Sequence, residues 1–587
     1  MADSGNAFDF KLFKRLLAFT NVYRWIFYFV GFAAIAMSGL AILRPYLLKK
    51  AIDDSIVPQD GERFVFFVSL MLAVLILEVV FQFAFIFYAN WLGQSVVKDL
   101  RVKLFKLMMS FKMKYFDKSA VGRLTTRAVN DIETISSIFS QGLFMIISDL
   151  LKMLAIAGFM LYQSWRLSLI VFAILPLILY ATRVFQRAMK VAFEEVRNQV
   201  ANLNSFVQER ITGMKIVQIF TREDTEFKQF KEINEKHKKA WVKTVWYNSI
   251  FFPIAEMASS VAIGLLVWYG GLNAAGGGLI TLGLITMFIE LSQMLFRPLR
   301  QIADKFNTLQ MGMVAANRVF AILDTKSHIQ DHGTLALEDA KGRIDFDNVC
   351  FGYIPDEQVI KNISFSVKPG ETVAIVGATG AGKSTIINLL NRFYEIDSGV
   401  ISIDNTSIKD FKLVSLRSQI AVVLQDVFLF ADTILNNITL NDPSITEEEV
   451  IAAAKEIGVH KFITSLPGGY HYNVKERGTM LSSGQRQLIA FLRAYVSKPS
   501  ILILDEATSS VDTYSEEMIQ TATDKITKGR TSIVIAHRLA TIKKADKILV
   551  MDAGKIVESG THKELLKKEN GYYRNLYEVQ FMTEEAI

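Results

Sequence analysis

The segment from residue 372 to residue 393 reads TVAIVGATGAGKSTIINLLNRF, and it decides the fold of the second half of the chain. Its middle, Gly377-Ala378-Thr379-Gly380-Ala381-Gly382-Lys383-Ser384, fits the pattern G-x-x-x-x-G-K-[ST] between a β-branched run and a helical run. Glycines let backbone N–H groups turn towards phosphate oxygens, and the N-terminus of the following helix adds partial positive charge. We therefore expect Lys383 to reach the β- and γ-phosphates of a nucleotide and Ser384 to bind Mg²⁺.

A second motif, Ile501-Leu502-Ile503-Leu504-Asp505-Glu506, ends an apolar strand in two carboxylates. The carboxyl ends of parallel strands share one edge of a sheet, so these acids should face the phosphates. We expect Asp505 to hold Mg²⁺ through water and Glu506 to polarise the attacking water. Further β-branched runs at 373–376, 420–424 and 532–536 alternate with helical stretches. This alternation predicts an α/β domain with a largely parallel core sheet.

The first half of the chain differs, because its apolar residues collect in six long runs. Residues of the AVILMFWYC set make up 51% of the 587 residues, and charged residues make up only 21%. A bilayer span needs about 20 apolar residues, so six such runs argue against a soluble protein. The predicted spans cover residues 22–48, 64–92, 142–162, 167–185, 245–270 and 279–300. We predict a multidomain protein: an all-α six-helix membrane domain (1–324), a linker (325–341) and an α/β P-loop domain (342–587).

Charge and cysteine content narrow the function classes. The net charge is +7 and the basic residues are spread along the chain, which gives no support for a nucleic-acid partner. The single cysteine, Cys350, excludes an intrachain disulfide. The segment 98–127 carries nine Lys or Arg, whereas 52–63 carries one. This asymmetry places the N-terminus and the α/β domain in the cytoplasm, in a cell membrane that we expect to be a bacterial inner membrane.

Two long links between spans, 97–111 and 186–240, keep helical periodicity with alternating charge. Helices of this kind would project beyond the lipid. A candidate turn or short helix accompanies each link, near 116–122 and near 201–213. Two interpretations stay open, namely a solvated stalk and a docking surface for the second half of the chain.

The segment Leu481-Ser482-Ser483-Gly484-Gln485 resembles the LSGGQ signature of ATP-binding cassette (ABC) ATPases. Other motifs of that family follow in order across residues 344–578. They are Tyr353 (similar to the A-loop aromatic), Gln425 (Q-loop), Glu476 (X-loop), Ser510-Val511-Asp512 (D-loop) and His537 (switch histidine). Six spans ahead of one such domain resemble a half-size ABC exporter of the type IV, multidrug- and lipid-exporter branch. In this superfamily importers usually carry the two parts on separate chains, so the fusion favours export.

The resemblance implies a role for each matching residue. Tyr353 would stack on adenine, and the loop from Gly377 to Thr385 would bind the phosphates of ATP. Ser384, Gln425 and Asp505 would hold Mg²⁺, with Gln425 also linked to the membrane half. Catalysis would rest on Glu506, His537 and Lys383. Ser482, Gly484 and Gln485 would contact ATP held by another subunit.

The last of these roles implies a dimer, because each chain has one phosphate loop and one signature. Since Glu506 and His537 are both present, a homodimer is favoured, while a heterodimer with another half-transporter stays open. The departures from the family pattern are small. Ser483 stands where the family usually has Gly, the D-loop reads SSVD, and Lys475 replaces the usual Gly before Glu476. None of them removes a catalytic group.

Charged residues inside spans are costly and mark candidate substrate contacts. Glu78, Glu256 and Glu290 could line an apolar cavity for amphipathic cations. Alternatively, Arg44, Lys152, Arg297 and Arg300 could receive lipid headgroups, or these side chains could simply bond neighbouring helices. Asp149 and Lys152 lie one helical turn apart and could pair.

The expected function is ATP-driven export or flipping of amphipathic or hydrophobic substrates, drugs or lipids, across the membrane. Membrane lipid and such a substrate are the expected partners besides a second copy. An ATP-gated channel or a structural membrane protein stays open as an alternative. The six spans contradict a soluble ABC ATPase of DNA repair or translation.

Overall fold

The computed structural model describes residues 9–329, 331–505, 513–536 and 538–580, with the backbone alone at 300–304, 513–515 and 580. The chain divides into two compact units, one of residues 1–109 and 121–326 and the other of residues 110–120 and 327–587. The segment 110–120 thus belongs to the second unit, although it lies within the stretch 1–324 that we assigned to the membrane domain. The short helix it forms packs on the second unit, as described below.

The first unit is helical. Its α-helices are α1 Phe10–Ala18, α2 Arg24–Ala51, α3 Gly61–Met108, α5 Val121–Thr126, α6 Ile132–Ser137, α7 Phe144–Gln163, α8 Trp165–Thr212, α9 Met214–Ile219, α10 Glu223–Ala275 and α11 Leu282–Leu323. A 3-10 turn at Phe19–Tyr23 and π turns at Ile52–Ile56, Arg127–Asp131 and Ile138–Leu143 continue neighbouring helices. The helix α4 Met113–Asp117 belongs to the second unit.

The six predicted spans are confirmed, since six helical stretches are long and apolar enough to cross a membrane. They are Phe10–Ile56, Gly61–Met108, Val121–Gln163, Trp165–Thr212, Glu223–Ala275 and Leu282–Leu299. The helices run far beyond the apolar residues. The span predicted at 167–185 is only the first part of α8, whose 48 residues correspond to about 70 Å. The candidate turn near 201–213 is likewise helix up to Thr212, and the chain turns at Gly213.

Apolar packing between helices holds the first unit together. Buried side chains of α7, α8, α10 and α11, among them Ile156, Val171, Leu266 and Phe288, form one cluster. Outside this cluster, Phe185 of α8 stacks on Phe251 of α10 with ring centroids 4.0 Å apart. By contrast, only 6% of the apolar window of α3 is buried within the chain. Such an uncovered apolar surface suits contact with lipid.

The second unit contains two sheets. A six-stranded sheet has the order β10-β9-β3-β8-β7-β6 and is parallel except for β10, and a four-stranded antiparallel sheet has the order β2-β1-β4-β5. The strands are β1 Ile344–Phe351, β2 Ile360–Val367, β3 Thr372–Gly377, β4 Ser398–Ile403, β5 Thr406–Ser407, β6 Ile420–Val423, β7 Ile501–Asp505, β8 Thr531–Ile535, β9 Lys547–Asp552 and β10 Lys555–Gly560. The predicted parallel core sheet is therefore confirmed.

Helices cover the six-stranded sheet, so its central strands are buried on both faces. All five residues of β7 and all five of β8 are buried. The helices are α12 Lys383–Leu390, α13 Leu413–Ser418, α14 Ile434–Thr439, α15 Glu447–Ile457, α16 His460–Ser465, α17 Ser483–Val496, α18 Thr513–Thr527, α19 Leu539–Lys544, α20 His562–Leu566 and α21 Tyr572–Gln580. Two 3-10 turns lie at Gly469–His471 and Glu476–Gly478.

Candidate functional site

The loop between β3 and α12 has a backbone that only glycine can adopt. Gly377 has a φ of 153°, and a Cβ there would lie 2.2 Å from the backbone oxygen of Met551. Gly382 has a φ of 98° and is the residue from which α12 starts. Positive φ values cost glycine little and other residues much more. The loop that sequence predicted from its glycines therefore stands at the predicted place, directly before the helix N-terminus.

Lys383 lies across this loop. Its Nζ donates hydrogen bonds to the carbonyl oxygens of Gly377, at 2.7 Å, and of Ala378, at 3.1 Å. Burial lowers the pKa of Lys383, and the negative charge of Asp505 partly opposes that effect. A buried ammonium whose described hydrogen-bond acceptors are neutral carbonyls gains strongly from a nearby anion. The loop thus presents a cation and a helix N-terminus to a phosphate.

Ser384 and Asp505 meet beside the loop. The hydroxyl of Ser384 donates to the carboxylate of Asp505 at 3.2 Å, and Asp505 is 8% exposed at the end of β7. Two oxygens at adjacent corners of a Mg²⁺ octahedron are about 3 Å apart, since each lies at about 2.1 Å from the ion. In the part of the chain that is described, no three His, Cys, Asp or Glu residues form a metal-binding group. Mg²⁺ that also binds nucleotide phosphates needs only one or two protein ligands, so this pair fits it.

Tyr353 lies next to the first turn of α12. Its hydroxyl donates to Oγ1 of Thr385 at 3.3 Å and accepts from Nδ2 of Asn388 at 3.2 Å. The ring is approached edge-on by Phe351 and Tyr394, with centroids 4.9 and 5.0 Å away. The structure therefore brings Tyr353, Lys383, Ser384, Thr385 and Asp505 together around one loop. Stacking of Tyr353 on adenine stays a prediction.

Gln425 follows the end of β6 and is exposed. Its contact with Mg²⁺ stays a prediction. Glu506, Ser510-Val511-Asp512 and His537 lie outside the described residues, so their predicted catalytic roles stay predictions.

The signature segment forms the start of α17. The Ser482 hydroxyl accepts from the backbone N–H of Gln485 at 3.2 Å, and Oε1 of Gln485 accepts from the N–H of Ser482 at 3.0 Å. This reciprocal capping box fixes the first turn. Ser482 and Ser483 are exposed there, whereas Gly484 is buried. The start of α17 is thus an open helix N-terminus, a kind of site that attracts phosphate.

The structure also brings out Tyr394, which sequence reasoning missed. The Tyr394 hydroxyl donates to the carboxylate of Asp117 at the end of α4. Burial, together with the charge of Asp117, raises the pKa of Tyr394. The same segment is tied down by a hydrogen bond between Ser110 Oγ and His328 Nδ1 at 3.0 Å.

Tyr394 also meets Tyr353 edge-on, so a continuous set of contacts runs from Asp117 through two tyrosines to Thr385 of α12. For Asp117, the docking interpretation is therefore confirmed. The second link, at Gly213, has exposed apolar residues, discussed below. The only sequence signal for Tyr394 was its place shortly after the loop helix.

The three candidate acids in the spans lie on three different helices of the first unit. Glu78 of α3 lies 3.9 Å from the guanidinium of Arg44 on α2. Among the described residues, one carboxylate oxygen of Glu78 and one of Glu290 on α11 are buried without a hydrogen-bond partner, and Glu256 of α10 is exposed. Asp149, which could have paired with Lys152, instead accepts a hydrogen bond from Lys305 of α11. The side chain of Arg300 lies outside the described residues.

The site combines a glycine loop, a buried ammonium and a hydroxyl–carboxylate pair. The same chain carries six helices long enough to span a membrane, so these features define a membrane-coupled P-loop ATPase. Comparison with known families is specific: residues 27–299 match the ABC transporter transmembrane region, and residues 360–509 match the ABC transporter ATPase domain. The chain belongs to the ABC transporter family. One membrane region and one ATPase domain on a single chain make it a half-size exporter of type IV, in which ATP hydrolysis is coupled to transport.

Similar proteins cover the chain almost completely. An uncharacterised ABC transporter ATP-binding protein of Bacillus subtilis, YknV, is 34% identical over 98% of this chain and 96% of its own length. An ATP-dependent lipid A-core flippase of Syntrophus aciditrophicus is 34% identical over 98% and 95%. A putative multidrug export ATP-binding/permease protein of Staphylococcus aureus is 36% identical over 97% and 100%.

Lys475, where the family usually has Gly, is in a strained backbone conformation. Its φ is 60° and its ψ is −172°, a region that side chains other than glycine rarely occupy. We expect Lys475→Gly to stabilise the ATPase domain, because relief of about 1–3 kcal/mol of strain exceeds the added chain entropy of glycine. A net gain of about 1 kcal/mol should raise the midpoint of heat inactivation of ATP hydrolysis by about 2–4 °C.

The matched control is Lys455→Gly, which removes an exposed lysine from the regular helix α15. Glycine destabilises a helix interior, so this variant should lower the midpoint. A midpoint for Lys475→Gly that equals or falls below that of the parent would contradict the strain argument.

Proposed function

We propose that this chain is one half of a homodimeric exporter that uses ATP and Mg²⁺ to move amphipathic or hydrophobic substrates across a membrane. The observation that carries the proposal is the hydroxyl of Ser384 on the carboxylate of Asp505 beside a glycine loop. That arrangement suits Mg²⁺-nucleotide, and it sits on a chain with six span-length helices.

The proposed site spans two copies of the chain. One copy supplies the loop with Lys383, Ser384 and Asp505. The other supplies the exposed N-terminus of α17, with Ser482 and Gly484, as the second face for the phosphates. Closure on ATP would bring the two ATPase domains together, and hydrolysis would let them part. When bound, Mg²⁺ neutralises phosphate charge and orients the leaving oxygen.

An exposed group of apolar side chains on the first unit supports the proposal that a second copy of the chain binds. Around Gly213, four large apolar side chains are each more than half exposed, namely Ile211, Ile216, Ile219 and Phe220. Apolar side chains gathered at the end of a long polar helix pair are costly in water and favour a protein contact. Because one chain carries a single loop and a single signature, a second identical copy is the simplest occupant.

The basic residues around the spans support the orientation. The segment 98–127 carries nine Lys or Arg, and the segment 270–278 carries no charge at all. By the positive-inside rule the N-terminus and the ATPase domain are cytoplasmic. Since similar proteins come from bacteria, we propose a bacterial cell membrane.

The general base of this proposal is Glu506, which follows Asp505 at the end of β7. Replacing it by the isosteric Gln removes the proton acceptor but keeps the shape, so hydrolysis should fall roughly 10²–10⁴-fold while ATP still binds. In inside-out vesicles, ATP-dependent uptake of a fluorescent amphipathic substrate should stop, and the dimer should stay in an ATP-bound closed form.

The matched control is Glu448→Gln, an exposed acid in the first turn of α15. It should hydrolyse ATP and transport at the parent rate. If Glu506→Gln hydrolyses ATP at the parent rate, Glu506 is not the general base. If the unaltered protein hydrolyses ATP but no substrate enters the vesicles, the alternative of an ATP-gated channel or a structural membrane protein would be favoured.

The substrate class follows from the charges in the spans and from what related proteins carry. Relatives are named as a lipid A-core flippase and as multidrug exporters. One carboxylate oxygen of Glu78 and one of Glu290 are buried without a hydrogen-bond partner in the described structure, but Glu78 lies 3.9 Å from the guanidinium of Arg44, whereas Glu290 forms no ion pair with a described residue. An acid without a counter-ion in an apolar setting favours a cationic group. We propose amphipathic cations as one substrate class, with Glu290 as the contact.

The test compares Glu290→Gln with Glu78→Gln in the stimulation of ATP hydrolysis by cationic drugs. Glu290→Gln should raise the half-maximal concentration roughly fivefold, the equivalent of about 1 kcal/mol of lost attraction. Glu78→Gln should act differently, since it leaves Arg44 without its acid and should strengthen stimulation by anionic lipids. Unchanged drug responses in both variants would discard Glu290 as a substrate contact.

A further inference from the structure

An open cavity of about 550 Å³ lies where the N-terminal helix α1 leads into α2. Four basic side chains and two aromatic ones are among its lining residues, which are Lys11, Lys14, Arg15, Arg24, Phe27 and Tyr28. None of these residues belongs to the nucleotide site or to the charged side chains inside the spans. The cavity is therefore a separate feature of the first unit.

Among the described residues, the positive charge of this cavity is largely uncompensated. Of the four cations, Arg15 is engaged, since it donates two hydrogen bonds to Asp324 at 2.5 and 2.6 Å. Lys11 and Lys14 are exposed and form no ion pair with any described residue. Asp9, at the start of the described chain, caps α1 by accepting from the backbone N–H groups of Lys11 and Leu12.

Large exposed apolar side chains lie close to the cations in sequence. Phe10, Val22, Trp25 and Tyr28 are between 66% and 78% exposed, although such residues are costly in water. Arg24 lies 6.0 Å from the ring of Trp25, at the first residue of α2. Basic and aromatic side chains mixed at the end of a span are typical of the membrane–water interface, with aromatic rings at headgroup depth.

The cavity is preformed, because α1 is fastened at its far side. Beyond the pair with Asp324, the Arg15 guanidinium lies 4.3 Å from the ring centroid of Phe320, and Phe19 packs on the same ring at 6.0 Å. Phe13 and Leu16 are buried. Preformed sites lose less free energy on binding than those that must order first.

We propose that this cavity binds the headgroup of an anionic phospholipid. Lys11, Lys14 and Arg24 would face the phosphate, while the exposed aromatic side chains would pack on the glycerol and upper acyl region. A soluble anion offers nothing to those apolar side chains, so the lipid is the better match. The proposal does not depend on which substrate the protein exports.

The test uses the full-length protein in detergent and native mass spectrometry, with phosphatidylglycerol and phosphatidylcholine as probes. The parent should bind phosphatidylglycerol more tightly. Lys11→Gln/Lys14→Gln should weaken that binding roughly tenfold to thirtyfold, since each interfacial Lys contributes about 1 kcal/mol. The control is Lys98→Gln/Lys106→Gln, which removes two exposed lysines of α3 that lack a described ion pair. It should bind as the parent does.

Each other outcome overturns the proposal. Equal losses in the two double variants would mean a general attraction to basic surface. Equal affinity of the parent for both lipids would remove the anion preference. Displacement of phosphatidylglycerol by excess inorganic phosphate would make the occupant a soluble anion. If the double variant does not fold, Arg24→Gln provides the same comparison, and unchanged lipid affinity there overturns the site.

Discussion

The hydrogen bond from Ser384 to Asp505 is the contact on which the proposed nucleotide site depends. It joins the first turn of α12 to the end of β7, two strands away from β3 in the central sheet. Burial on both faces of β7 and β8 fixes the position of that carboxylate. A sheet that is rigid in this way can place one acid beside a phosphate loop and keep it there without a ligand. The carboxylate of Asp505 is then held beside the glycine loop and the buried ammonium of Lys383.

The contacts that lead away from this site are as informative as those within it. Tyr353 connects α12 to Tyr394, and Tyr394 holds Asp117 of α4, a helix that sequence order places among the membrane spans. Packed rings and hydrogen bonds therefore join α12 to α4. Physical coupling needs such a contiguous set of contacts.

Sequence reasoning predicted the features that depend on local pattern. Six apolar runs gave six span-length helices, and β-branched runs gave β3, β6, β7 and β8. The glycine loop, Lys383 and the Ser384–Asp505 pair were predicted because the chemistry of phosphate and Mg²⁺ restricts residue type and spacing. The length of α8 was missed, because charged residues end a hydropathy run but do not end a helix.

Features that depend on distant packing could not be predicted. By sequence, Asp149 could pair with Lys152 one turn away, but Lys305 of another helix donates a hydrogen bond to its carboxylate. Likewise, the bond from Tyr394 to Asp117 joins residues 277 positions apart, and no periodicity encodes such a pair. Lys475 is another feature that sequence alone could not explain. The sequence shows only that Lys475 stands where the family usually has glycine, and the backbone angles show that this position has a conformation suited to glycine.

The most direct measurement asks whether each nucleotide is held between two chains. Differently tagged Lys383→Ala and Ser482→Arg chains are co-expressed, and mixed dimers are isolated through both tags. Each variant alone lacks either the loop or the signature at both sites, so neither should hydrolyse ATP. The mixed dimer has one intact loop opposite one intact signature, and it should regain hydrolysis and trap one nucleotide. Mixed dimers as inactive as either variant alone would contradict a site shared between two copies.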